Sequence, residues 1–176
     1  MDRVQNKDRK INNLLLDDQF GFISSPDKEF ITAFDEQMQE LGYDCGNKIG
    51  SGYCWGKYML IYTKSGVKSK RVYARIYIRE QSILLRLFFN DIDKHRYYIE
   101  HSPPHIKEVF TEGTGDCQHC HNDKGGMCRF RKEYTLDDRH IEKCNGITFE
   151  FHDPSIARLA DYMALFTEFY PGRKNR

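Results

Sequence analysis

Alternation of apolar and polar side chains between Gly50 and Asn90 is the feature that most constrains the fold. It is clearest in RVYARIYIRE, residues 71–80, where every second residue from Val72 to Ile78 is apolar. A period of two is typical of β-strands, because successive side chains point to opposite faces of a sheet. The pattern predicts strands at 53–63, 70–79 and 82–89. A loop around Ser65 and a tight turn near Gln81 would make these strands antiparallel.

The segments on either side of these strands have the spacing of helices instead. Ser25-Pro26-Asp27 predicts a helix start, with a hydroxyl cap, a proline at the first position and an acid in the first turn. Gly42 supplies the end of that helix. The same signals predict three further helices, which begin near Asp91, Ile106 and Asp153.

A second strand-rich region lies near the C-terminus. The segment KEYTLDDRHIEKC, residues 132–144, predicts a strand, a turn at Asp137-Asp138 and a returning strand. Residues 147–151 alternate in one more strand. The order of elements predicts the α+β class: an antiparallel β-sheet packed by helices on one face, with a cysteine-rich metal-binding loop before a β-hairpin.

The chain of 176 residues has the length of one domain. Residues 1–24 are predicted to form a polar N-terminal arm, in which the short apolar run Leu14-Leu15-Leu16 marks a short helix that docks late. We expect a single α+β domain over residues 25–172, including a zinc-loop segment at 115–145, and a basic tail at 173–176.

Charge and hydropathy narrow the function classes. With 27 basic and 26 acidic residues the net charge is +1, which gives no bulk attraction to nucleic acid or to an anionic membrane. No stretch approaches the ~20 apolar residues of a membrane span, and the first residues lack the apolar core of a signal peptide. We therefore expect a cytoplasmic protein without a membrane partner, in a compartment where clustered cysteines are more often metal ligands or redox groups than disulfides.

The segment DCQHCHNDKGGMC, residues 116–128, contains three of the six cysteines. Together with a fourth they have the spacing C-x2-C-x7-C-x15-C, formed by Cys117, Cys120, Cys128 and Cys144. Four thiolates with glycines between them suit a tetrahedral structural Zn²⁺ site. His119, His121 and His140 are reserve ligands if one cysteine does not bind.

Other interpretations of this cluster remain open. A C-x-x-C pair can form a redox centre, although that chemistry prefers a helix N-terminus and this segment has the composition of a loop. The thiols could also simply fill gaps, but the segment is too polar to offer a core. A catalytic Zn²⁺ would keep one position open for water, and four available thiolates favour a closed site instead. Cys45 and Cys54, in a different segment, are expected to be ordinary core or strand residues.

The segment TLDDRHIEKC, residues 135–144, resembles a motif of an uncharacterised family of bacterial proteins from anaerobic Gram-positive species. The family pattern T-L-D-G-x-x-Y-x-K-C is matched at five positions, Thr135, Leu136, Asp137, Lys143 and Cys144. The spacing from Cys128 to Cys144 is also kept, whereas Asp138 replaces a glycine, Ile141 replaces a tyrosine, and the first two cysteines are closer together. The likeness covers about residues 25–170 and implies the same order of helices and strands. The family has no established activity.

One face of the second predicted strand could bind a ligand. It carries Arg71, Tyr73, Arg75 and Tyr77, and Arg86 of the next strand joins it. Arginines between aromatic rings can hold a small anion through bidentate contacts, or bind single-stranded nucleic acid. The alternative is a solvent-facing sheet with cross-strand pairs, in which Glu150 neutralises one arginine.

These patterns leave three functional hypotheses. The first is a non-catalytic, zinc-stabilised binding or accessory module for a small molecule or a protein. The second is a metal- or thiol-dependent enzyme or redox sensor that uses the C-x-x-C loop. The third is a single-stranded nucleic-acid-binding protein that uses the arginine–tyrosine face.

Overall fold

The computed structural model describes residues 10–68, 70–112 and 130–172, and these form an antiparallel sheet with helices on one face. The α-helices are α1 (Ile11–Leu14), α2 (Ser25–Glu40), α3 (Arg96–Glu100), α4 (Pro104–Thr111) and α5 (Leu159–Phe169). The strands are β1 (Tyr43–Asp44), β2 (Gly50–Ser51), β3 (Tyr58–Lys64), β4 (Val72–Ile78), β5 (Ile83–Phe88), β6 (Lys132–Leu136), β7 (Arg139–Lys143) and β8 (Thr148–His152). Short 3₁₀ helices cover Asp18–Phe20, Tyr53–Trp55, Ile92–His95 and Ile156–Arg158.

The main sheet has the strand order β1-β3-β4-β5-β8, with β2 also paired to β3, and β6 and β7 form a separate hairpin. Every pair in both sheets is antiparallel. The predicted α+β class with an antiparallel sheet is therefore confirmed. The cysteine-rich loop before the hairpin lies outside the described residues.

Helices α2 and α5 cover one face of the sheet, which we call the inner face. Its side chains include Tyr62, Ile76 and Leu85, all fully buried in one core cluster. The ring of Phe34 from α2 meets the Tyr62 ring edge-on, with centroids 5.3 Å apart. Burial of this apolar surface supplies the main drive for folding.

Helix α2 begins one residue earlier than the sequence predicts. The hydroxyl of Ser24, not that of Ser25, caps the helix by accepting a hydrogen bond from the Asp27 amide at 3.2 Å. Pro26 lies in the first turn, as expected. At the next helical segment Asp91 adopts a left-handed conformation and makes no capping bond through its side chain. This segment begins with the 3₁₀ turn Ile92–His95, and α3 follows it.

The first of the three strands begins later than the predicted 53–63, since β3 spans Tyr58–Lys64. Residues Tyr53–Trp55 form a 3₁₀ turn instead. A methyl group at Gly52 would overlap the carbonyl of Gly56, so the chain folds back tightly on itself here. Glycine at this position allows that close approach.

The second half of the predicted polar arm lies in the core. Ile11, Leu14 and Leu15 from the α1 segment are buried with the residues of α2 and the sheet. Phe20 is also buried, and its ring meets that of Tyr58 edge-on at 4.9 Å. Residues 11–23 are thus part of the α+β domain, because most of their apolar side chains are buried against the core, whereas Leu16 is 75% exposed.

The hairpin of β6 and β7 turns at Asp137-Asp138, as predicted. Both residues have positive φ, 48° and 57°, which is the conformation of a type I′ turn. Ion pairs from Lys107 to Asp137 at 2.7 Å and from Arg96 to Asp138 at 2.8 Å connect the turn to the α3–α4 region. Tyr134 donates a hydrogen bond to the Phe110 carbonyl at 2.5 Å. These contacts fix the hairpin against the helices.

The turn provides a test through two variants that both lack the Arg96 pair. We expect Asp138→Gly to be more stable than Asp138→Ala by about 0.5–1 kcal/mol. A Cβ atom in the left-handed region costs about 1–2 kcal/mol, and the greater freedom of glycine in the unfolded chain offsets only part of this. Urea denaturation of both variants measures the difference. An alanine variant as stable as the glycine variant would contradict the turn conformation.

Candidate functional site

The face of the sheet opposite the helices, which we call the outer face, carries a row of charged side chains. Strand register places Arg75 of β4 opposite Arg86 of β5, and Arg86 opposite Glu150 of β8. The next row places Tyr77 opposite Leu84, which forms a small second apolar cluster with Met59. The outer face is therefore neither a plain solvated surface nor an apolar core.

Arg86 is almost completely buried, with 5% of its surface exposed. Its guanidinium forms an ion pair with Glu150, as the alternative of a solvent-facing sheet predicts, and donates to the hydroxyl of Tyr77 at 3.3 Å. The ring of Trp55 lies over the guanidinium, with its centroid 4.2 Å from Cζ. A buried cation needs such partners, since removing it from water is costly.

Arg75 shares the Tyr77 hydroxyl, to which its Nη1 donates at 3.1 Å. Within the described residues the row then contains two guanidinium groups and one paired carboxylate, Glu150. The Nε atoms of Arg75 and Arg86 are buried, and neither has a hydrogen-bond partner among the described residues. Cross-strand pairs of like charge are destabilising. The row therefore has an excess positive charge and two unused donors.

The structure divides the five residues of the predicted ligand face into two groups. Arg75, Tyr77 and Arg86 lie together, whereas the ring of Tyr73 packs against Tyr43 at 4.8 Å and Tyr170 at 4.9 Å. The guanidinium of Arg71 lies 4.9 Å from the Tyr73 ring. This is a separate group of side chains near the end of α5.

A bulge in β4 explains the division. Tyr62 pairs with Ala74 and Thr63 with Val72, so Tyr73 is an extra residue without a partner in β3. A bulge changes the direction of the side chain at the extra residue. Alternation alone assigns Tyr73 to the same face as Arg75, and the bulge overrides that assignment.

Trp55 is the residue of this site that the sequence analysis did not single out. It is 44% exposed, and its carbonyl accepts a hydrogen bond from Arg79 Nε at 3.1 Å. The tight contact between Gly52 and Gly56 holds the 3₁₀ turn over the outer face. The position of the chain's one tryptophan between two glycines was the available signal.

The structure describes one of the four predicted zinc ligands. Cys144 follows β7 directly and is exposed. Cys117, Cys120 and Cys128 lie outside the described residues, as do the reserve ligands His119 and His121.

The two ends of the hairpin meet next to Cys144. Lys132 pairs with Lys143, and the amide of Gly146 donates to the carbonyl of Phe130 at 3.3 Å. A side chain at Gly146 would overlap Lys132, so this close approach requires glycine. Residue 130 therefore lies beside the end of β7, which Cys144 directly follows.

A cavity of about 370 Å³ lies between the hairpin and the sheet. Cys144 lines it from the hairpin, and Thr148, Glu150 and His152 line it from β8. Lys143 also lines it, and burial lowers the pKa of this ammonium group. The cavity has the size of a small-ligand site and connects the predicted metal ligand Cys144 with the carboxylate that pairs with Arg86.

Cys45 and Cys54 differ in their environments. Cys45 is buried, as predicted, and burial raises the pKa of its thiol to about 12, so it remains protonated near neutral pH. It donates to the buried carboxylate of Asp35 at 3.4 Å. Cys54 is exposed in the 3₁₀ turn, so its assignment to a core or strand is wrong. The tight turn between Gly52 and Gly56 places Cys54 before the start of β3.

Comparisons with protein-family models, with curated proteins and with solved structures found no match. The resemblance to the bacterial cysteine-containing family therefore stays a prediction. No helix among the described residues is long and apolar enough to span a membrane.

The buried Asp35 carboxyl predicts a pH-dependent contribution to stability. Burial raises its pKa, so the folded chain holds this proton more tightly than the unfolded chain does. The contribution to the free energy of unfolding consequently falls as pH rises above about 4, the unfolded value. Asp35→Asn stays neutral, so its stability relative to wild type should improve from about pH 4 to about pH 7. Urea denaturation across that range measures the trend, and a constant difference would contradict it.

Proposed function

We propose that this protein is a non-catalytic, zinc-stabilised binding module that recognises an anionic group at Arg75 and Arg86. The observation that carries the proposal is the row in which these two arginines lie side by side and have, among the described residues, one carboxylate partner, Glu150. An anion bound at the half-buried Arg75 would supply the second negative charge of the row. Guanidinium groups bind carboxylate and phosphate with good directional fit.

The physical cost of the arrangement supports a binding role. Burying a guanidinium without full pairing is unfavourable, and Arg86 is 5% exposed. Replacement of a buried ion pair by apolar residues is often neutral or stabilising, so a purely structural outer face does not require these two arginines. Strained or costly polar groups are common at functional sites, where a ligand completes them.

The two tyrosines of the predicted face do not offer rings for base stacking, so stacking of single-stranded nucleic acid would have to use Trp55, which is 44% exposed. Base stacking needs an accessible aromatic face. Tyr77 is 2% exposed, and Tyr73 packs between Tyr43 and Tyr170. Nucleic-acid binding therefore stays the alternative, and an oligonucleotide titration distinguishes it from binding of a small anion.

The zinc site of the proposal consists of Cys117, Cys120, Cys128 and Cys144. Its support is the spacing of these residues and the geometry of the hairpin base. Because β6 and β7 pair up to Lys132 and Lys143, the chain at Arg131 lies beside Cys144. Cys128 precedes Arg131 by three peptide units, which span at most about 11 Å. Zinc bound there would fix the hairpin next to the cavity that Glu150 lines.

Anion binding can be followed through Trp55, the chain's one tryptophan, which lies over Arg86. We expect inorganic phosphate to change its fluorescence, and Arg75→Gln to weaken binding about 10-fold or more, since hydrogen bonds to charged groups contribute about 1.5–3 kcal/mol. Arg71→Gln is the matched control, because Arg71 belongs to the separate group with Tyr73 and Tyr170. It should leave the phosphate affinity unchanged.

Two results would contradict the anion site. One is a wild-type protein whose Trp55 fluorescence does not respond to phosphate, and the other is equal weakening by both substitutions. A parallel titration with a single-stranded oligonucleotide at two salt concentrations tests the third hypothesis. Tight binding with a steep loss of affinity at higher salt would favour nucleic acid instead.

Removal of Cys144 tests the metal site. We expect wild-type protein purified under reducing conditions to contain zinc bound by four sulfur atoms at about 2.3 Å. Cys144→Ser should lose this ion and increase hydrogen exchange in β6 and β7, while β3, β4 and β5 stay protected, because their core does not depend on the metal. Cys54→Ser, an exposed cysteine in another segment, should keep it.

X-ray absorption on protein that holds one zinc ion per chain also separates the first two hypotheses. Four sulfur ligands support a closed structural site, and three sulfurs with one oxygen favour the enzyme alternative. Protein without sulfur-bound zinc would refute the proposed cofactor.

A further inference from the structure

We propose that Glu133, His140 and Glu142 form a second divalent-cation site on the solvent-facing side of the hairpin. This site is separate from the cysteine site and does not rest on the proposed function. Its ligands are one imidazole and two carboxylates, a donor set that suits Zn²⁺ and similar transition-metal ions.

Strand register brings the three side chains together. Glu133 of β6 lies directly opposite Glu142 of β7, and His140 precedes Glu142 by two residues, so all three lie on the same face. Opposed carboxylates repel each other and destabilise a strand pair. A bound cation between them would turn this repulsion into attraction.

The distances fit a shared ion better than a direct hydrogen bond. Nε2 of His140 lies 3.6 Å from Glu142 Oε1 and 3.9 Å from Glu133 Oε2. Hydrogen bonds of this type are about 2.7–3.2 Å long. Two ligands that are each about 2.1 Å from one tetrahedral ion lie about 3.4 Å apart, close to the observed separations. One donor atom of each residue lies within 4.8 Å of the other two.

Arg131 orients one of the carboxylates. It forms an ion pair with Oε2 of Glu142, which leaves Oε1 directed at His140. Metal-binding carboxylates are commonly held in this way by a second partner that does not touch the metal. The three side chains are between 38% and 59% exposed, so an ion can enter from solvent and keep water at its remaining positions.

Zinc binding by variants of the full chain tests the site. In equilibrium dialysis with Zn²⁺, wild-type protein should bind one ion more than His140→Ala or Glu133→Gln, and circular dichroism should be unchanged because these side chains are exposed. His101→Ala is the matched control. Its imidazole is also exposed, with Nδ1 2.7 Å from the Tyr97 carbonyl, and its removal should not alter zinc uptake.

The Cys144→Ser variant separates this site from the cysteine site. The hairpin ion should persist in Cys144→Ser, and addition of Zn²⁺ should shift the imidazole NMR signals of His140 in that variant. Equal zinc uptake by wild type, His140→Ala and Glu133→Gln would overturn the proposal. Loss of the hairpin ion together with the cysteine-bound ion in Cys144→Ser would also overturn it, because His140 would then belong to the cysteine site. Neither result would change the phosphate titration of the outer face.

Discussion

The antiparallel register of β4, β5 and β8 is the constraint on which the outer face depends. It places Arg75, Arg86 and Glu150 in one row, so that a guanidinium from one strand lies between a second guanidinium and a carboxylate. A shift by one residue would turn the charged row toward the helices and expose the core. The fully buried inner-face residues Ile76 and Leu85 therefore fix the charged row as firmly as they fix the core.

The hairpin is attached to the rest of the domain at both ends. Its turn is held by ion pairs to Arg96 and Lys107, and at its base Lys143 donates a hydrogen bond to the Val109 carbonyl of α4 at 3.5 Å. Cys144, the one described ligand of the proposed cysteine site, lies at the base of this hairpin, and Glu133, His140 and Glu142 lie on its solvent-facing side. Metal occupancy would accordingly influence how the hairpin borders the cavity that Cys144 and Glu150 line.

Sequence reasoning succeeded where neighbours along the chain decide the structure. The alternation around Ile76 and the turn at Asp137-Asp138 are local patterns, and both occur as predicted. It failed at the 3₁₀ turn before β3 and at the bulge of Tyr73. The first depends on contacts between Gly52 and Gly56, and the second on pairing with a different strand, so neither follows from periodicity.

The sequence by itself determined the α+β class, most strand positions and the candidate residues Arg75, Tyr77 and Arg86. It also identified Glu150 as a possible partner for an arginine, which the Arg86–Glu150 ion pair confirms. Only the tertiary structure decided that Arg86 is buried beneath Trp55 and that Arg71 and Tyr73 belong elsewhere. Periodicity follows from the geometry of one backbone segment, whereas burial and charge pairing depend on which distant segments pack together.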